Sequence, residues 1–174
     1  MGYRPMRMRI LFFVLATLLD GSPTQAQDFD EYAVKAAFLL NFAAFTDWPA
    51  TIATDFNVCV IGKDPFGASL DKMIGRNIEG HTVSVKRLQG LDGRSNCQIV
   101  FIARDRAGNA IKLVEEVKAG VLTVADADRL ARQGVMINMS LSADKVSFEV
   151  NNAAAKRAGL RISSKLLRLA TAVY

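Results

Sequence analysis

Two short segments limit what this chain can become: Ile99-Val100-Phe101-Ile102 and Val121-Leu122-Thr123-Val124. Each is too short for a stable helix and lacks the apolar-polar alternation of a half-exposed strand, so each reads as a strand covered on both faces. Between them, Ala110 to Val117 carries apolar residues at helical spacing and stops before Gly120. A strand, a helix and a second buried strand in that order describe a parallel crossover. Phe56 to Ile61 adds another strand ending at Gly62, Phe66 to Ile74 a helix ending at Gly75, and Thr82 to Leu88 an alternating, half-exposed strand. Val135 to Met139 and Lys145 to Val150, joined by Ser140 to Asp144, fit a hairpin. Asp126 is placed to cap a short helix through Arg132. Helices over Asn152 to Ala158 and, capped by Ser163, over Ser164 to Ala172 complete the pattern. The expected fold is α/β: a single-domain, open, mostly parallel twisted sheet flanked by helices, with a C-terminal antiparallel hairpin.

The N-terminus reads as an export signal. Arg4, Arg7 and Arg9 precede the apolar run Ile10 to Leu19, and Ser22-Pro23-Thr24-Gln25-Ala26 supplies small residues for cleavage after Ala26. The run is about half of the roughly 20 residues that a membrane-spanning helix needs. Cleavage would remove three arginines and one aspartate, lowering the formal charge by two, from +5 to +3. Residues 27–174 would then form one soluble domain in an extracytoplasmic space, away from the cytosolic nucleotide pools.

Cys59 and Cys97 are the only two cysteines. In an oxidising compartment such a pair is expected to bond, and in a doubly wound order their strands lie side by side. Closing a loop of about 39 residues contributes roughly 4 kcal/mol in the chain-entropy model. The bond reads as a staple or as a redox switch.

Catalytic signals are sparse. The lone His81 opens a strand, Ser69 lacks the second glycine of a nucleophile elbow, and Gly62 to Gly67 continues with Ala68-Ser69 where a phosphate loop needs lysine. Asp126-Ala127-Asp128 faintly resembles a phosphotransfer pair but is explained by capping and solvation. No catalytic residue, metal site or cofactor is expected. The crevice at the carboxyl ends of parallel strands would gather Lys63, Asp64, Phe66, Arg104 and Asp105 as a candidate ligand site.

The first helix, Asp28 to Asp47, is apolar nearly all round. Val34, Phe38, Phe42 and Phe45 form one stripe, while Tyr32, Ala36, Leu39, Leu40 and Ala43 form another. Either the helix is sunk between neighbours, or the phenylalanine stripe meets a second copy or a partner protein. Lys156, Arg157, Arg161, Lys165 and Arg168 make the C-terminal stretch basic without interleaved aromatics, which does not describe a nucleic-acid platform.

The segments Tyr32 to Phe38 and Phe45-Thr46-Asp47-Trp48-Pro49 resemble the opening of the YfiR-like family of periplasmic proteins. So do Val58-Cys59-Val60-Ile61-Gly62 with Pro65-Phe66, Cys97 to Ile102, and Leu122-Thr123-Val124. The match extends through Gly134 to Ile137, Val146 to Asn151, Ala153-Ala154, Gly159-Leu160 and Ile162 to Ala170, and so spans nearly all of residues 27–174. The resemblance implies a non-enzymatic regulator that represses an inner-membrane diguanylate cyclase through its periplasmic portion and lowers cyclic-di-GMP signalling. It also implies relief by an outer-membrane lipoprotein, a homodimer, and a redox-sensitive disulfide falling on Cys59 and Cys97. The chain departs from the best-known member in having no cysteine in its C-terminal half. A sensor kinase is the other membrane partner that the family context allows. A periplasmic small-molecule-binding module feeding a membrane sensor is the alternative function.

Overall fold

The computed structural model describes residues 1–2, 30–49, 55–92 and 96–174. Apart from its first two positions, the expected signal peptide lies outside the described residues, as does Asp28 of the expected first helix. In chain order the elements are α1 (Glu31–Ala44), β1 (Thr46–Asp47), β2 (Asp55–Ile61), α2 (Ala68–Asp71), β3 (Asn77–Ile78), β4 (His81–Leu88) and β5 (Ile99–Ile102). There follow α3 (Ala110–Glu116), β6 (Leu122–Ala125), β7 (Ile137–Ser142), β8 (Lys145–Val150), α4 (Asn152–Arg157), β9 (Arg161–Ile162), α5 (Ser164–Leu167) and β10 (Ala172–Val173).

Eight strands form one sheet in the order β10-β8-β7-β6-β5-β2-β4-β3, and β1 pairs with β9 in a separate two-stranded sheet. The contiguous strands β4-β2-β5-β6-β7 are parallel to one another. Their sequence order across the sheet makes the β2/β5 boundary a topological switch point, the place where doubly wound folds open a crevice. The two apolar runs sit as expected in the middle of this sheet. Ile99 and Phe101 of β5 join Leu39 and Phe42 of α1 on one face, while Val100 and Ile102 join Ala110 and Leu113 of α3 on the other. Helices on both faces leave no polar side for these strands, which explains the absence of alternation. The β7-β8 hairpin is antiparallel and closes through Ala143 and Asp144, both at positive φ, 47° and 56°.

Several boundaries differ from the sequence reading for tertiary reasons. Asp30 caps α1, its carboxylate accepting the Ala33 N–H at 3.0 Å. The helix ends at Ala44 because Thr46 and Asp47 leave it to pair with Ile162 and Arg161. The expected helix over Phe66 to Ile74 is reduced to α2 followed by turns, and the one over Ser164 to Ala172 stops at Leu167 so that Ala172 and Val173 can add a strand beside β8. Asn77 and Ile78 form a short strand that had no signature of its own.

Cys59 and Cys97 are bonded across the β2/β5 neighbourhood with Cα atoms 5.9 Å apart, on the α3 face of the sheet. Both are buried, and the bond spans a sequence separation of 38. The replacement Cys59→Ala with Cys97→Ala should lower unfolding stability by about 4 kcal/mol, read from urea titrations. A loss under about 1 kcal/mol would show that strand packing alone holds β2 and β5 together.

Candidate functional site

The five crevice residues do gather at the carboxyl ends of β2 and β5, but the chain itself occupies their binding groups. Gly62 adopts φ +100°, and a Cβ there would sit 2.5 Å from Asp105 Oδ1. That close approach lets the Asp105 carboxylate accept the Lys63 N–H at 3.0 Å. Asp64 accepts the Phe66 N–H at 2.8 Å with one oxygen and the Arg87 Nε–H at 2.7 Å with the other. Phe66 is buried edge-on between Phe101 and Tyr32, with centroids 4.6 and 5.4 Å away. Arg104 donates to the Asp126 carbonyl at 2.9 Å. Among the five, only Lys63 has an exposed side chain with no side-chain partner among the described residues.

What fills the crevice is the first half of α1. Lys35 is completely buried and donates to Asp126 Oδ2 at 2.7 Å. Its ammonium also pairs with Glu31 one turn earlier and lies 4.7 Å from the Tyr32 ring centroid. Tyr32 O–H donates to the same Asp126 oxygen at 2.9 Å. Burial, reinforced by that bond and by the nearby carboxylate charge, pushes the Tyr32 phenol up to about 12. Asp126 thus does not cap the following turn, as its sequence position implied. It stands at the end of β6 as the acceptor that fixes α1 across the sheet. Lys35 and Tyr32 were missed as site residues because each sits at ordinary helical spacing in an apolar stretch. The available signal was that Glu31 and Lys35 are the only charges in α1.

The phenylalanine stripe is divided by the fold. Phe42 is buried and Phe38 half-buried, and both pack on Phe148 of β8, with centroids 5.1 and 5.6 Å away. Val34 is half-buried, and Phe45 is the exposed member at 38%. Beyond the crevice, a cleft of about 460 Å³ opens where β1 meets β9. Trp48, Pro49 and Leu160 form its apolar wall, with Lys156, Arg161 and Asp47 around them. Among the described residues, no group of three or more metal-ligating side chains comes together.

A family model described as YfiR/HmsC-like (DUF4154) matches residues 32–171. None of the curated proteins matches the chain significantly. Among solved structures, a conserved domain protein from Vibrio cholerae O1 biovar El Tor superposes with a TM-score of 0.54 at 9% identity, covering 83% of this chain and 60% of that one. The ABC domain from Streptococcus pneumonia in complex with L-Trp gives a TM-score of 0.49 at 12% identity, covering 69% of this chain and 55% of that one. This chain therefore spans little more than half the length of the solved structures that it resembles. At such identities the likeness concerns the fold alone.

The geometry around Asp126 has a direct energetic consequence. Asp126→Ala takes from a buried ammonium one of its two carboxylate partners and should cost about 3 kcal/mol, while Lys35→Met combined with Asp126→Leu should cost far less. In the single variant the Tyr32 phenol should also fall below about 12, with burial still holding it above its ordinary 10.0. Urea unfolding and absorbance titration measure the two effects. Equal losses in the single and double variants would show that the pair is not what anchors α1.

Proposed function

This chain belongs to the YfiR/HmsC-like family, and from that membership we infer that it is a periplasmic regulatory protein that binds and represses a membrane-bound signalling protein. The target is a diguanylate cyclase whose periplasmic portion the protein contacts, so that binding lowers cyclic-di-GMP output. The observation that carries this reading is the family match across residues 32–171, nearly the whole of the described fold. The disulfide supports it, because such bonds persist in oxidising compartments. The crevice supports it too: apart from the Lys63 ammonium, its charged groups are taken up by side chains or backbone of the chain itself, and the start of α1 lies over it, an arrangement suited to presenting a surface. No described helix is long and apolar enough to cross a membrane. Action on a membrane protein would then proceed by linkage, the regulator favouring the inactive state by its higher affinity for that state.

Deleting the gene should raise cellular cyclic-di-GMP and biofilm formation, and a plasmid copy should restore both. An unchanged cyclic-di-GMP level in the deletion strain would contradict repression of a cyclase.

The cleft beside Trp48 favours a second reading, a small-molecule-binding module. Its volume of about 460 Å³ falls within the range of ligand sites, and Lys156 with Arg161 would favour an organic anion held against the indole. Trp48 is the sole tryptophan. Titration with small aromatic carboxylates should therefore change its fluorescence saturably, and Lys156→Glu with Arg161→Glu should abolish the response. A flat signal in the parent protein would exclude this class of ligand.

A further inference from the structure

The outward face of α1 is unusual for an exposed helix because it carries no charge. Its only charged residues, Glu31 and Lys35, pair with each other, and Lys35 continues inward to Asp126. Ala33, Ala37, Leu40 and Asn41 face a groove of about 310 Å³ beside α2, floored by Met73 and with Ser69 at its edge. No carboxylate lines this groove, while Lys72 and Arg76 both do. The neighbouring acids are already engaged: Asp71 with Arg87 at 2.8 Å, Asp30 as the cap of α1, and Glu31 with Lys35. Lys72 and Arg76 are exposed, and neither has an anionic partner among the described residues. A floor of Ala33, Ala37, Leu40 and Met73, edged by the uncharged Asn41 and Ser69 and flanked by two uncompensated cations, is complementary to an acidic amphipathic segment.

We propose that the α1/α2 groove is the docking surface for an acidic amphipathic segment in the periplasmic portion of the membrane partner. The inference rests on the regulatory reading above and names the face that would carry it. Apolar side chains of the segment enter between Ala33, Ala37 and Met73, where small residues permit close approach, and its carboxylates reach Lys72 and Arg76. A second copy does not fit as well. Its α1 has no free carboxylate to offer, and a twofold contact would bring Lys72 and Arg76 toward their own equivalents. This face also differs from the phenylalanine stripe, of which Phe38 and Phe42 are committed to Phe148.

The test places a photo-crosslinking p-benzoylphenylalanine at Ala37, and at Lys112 of α3 as a control, in the full-length protein expressed in cells lacking the native gene. Illumination should join position 37 to a peptide rich in Asp or Glu from the periplasmic portion of a membrane protein. Lys72→Glu with Arg76→Glu should cut the yield by about tenfold or more. Those two side chains are solvent-exposed, so thermal unfolding should stay close to that of the parent. Attachment to a second copy or to lipid, or a yield indifferent to the charge reversal, would overturn the proposal. No product from position 37 in cells where deletion still raises cyclic-di-GMP would remove this surface and leave the regulator standing. Unchanged cyclic-di-GMP on deletion would remove the regulatory reading itself, and this inference with it.

Discussion

The contact on which the architecture turns is the buried pair of Lys35 and Asp126. A lysine ammonium taken fully out of water is tolerable only with close, well-placed anions, and Asp126 at the end of β6 and Glu31 one turn before provide them. Because Asp126 also accepts from Tyr32, one carboxylate fixes two positions of α1. The start of the helix is thereby set at the carboxyl ends of the central strands, with Tyr32 against Phe66, and the rest runs over one face of the sheet so that, nearly three turns on, Phe42 meets Phe148. An ion pair of this kind stabilises less than an apolar contact of the same size, but its directionality fixes the orientation of the helix.

That placement links the fold to the proposed role. A doubly wound sheet ordinarily leaves its switch-point crevice to a ligand, whereas here the chain supplies Tyr32, Lys35 and Asp105 to fill it. With the crevice closed, recognition passes to the outer surface of the helix layer. Pairing the two α1 charges with each other leaves the outer face uncharged, beside Lys72 and Arg76 just after α2. The disulfide supports the opposite face, joining β2 to the entry of β5 beneath α3. A regulator built this way offers a rigid surface, which suits action by differential affinity for two states of a partner.

Much of the fold was legible in residues 99–102 and 121–124, whose apolar continuity required a sheet covered on both sides, and in the two cysteines, one on β2 and one at the entry of its neighbour β5. Short elements were not legible, because β1, β3, β9 and β10 are two-residue pairings set by their partners and not by their own composition. The five crevice residues were legible as neighbours at the strand ends, yet their engagement could not be read. Asp64 with Arg87 and Asp105 with the Lys63 N–H depend on distances across the fold. Asp126 was the instructive miss. A carboxylate just after a strand fits a cap by local rules, but a lysine 91 positions away recruited it, and no local pattern encodes that pairing.

A helix fixed by the Lys35–Asp126 pair is an integral, rigidly held layer on one face of the sheet. Native-state hydrogen exchange on the α1 amides, compared with those of β5 and β6, tests it most directly. Leu39, Phe42 and Ala43 should exchange only with global unfolding, their opening free energies agreeing with those of Val100 and Val124 within about 1 kcal/mol. Exchange of the α1 amides through a local opening several kcal/mol below that of the central strands would contradict it.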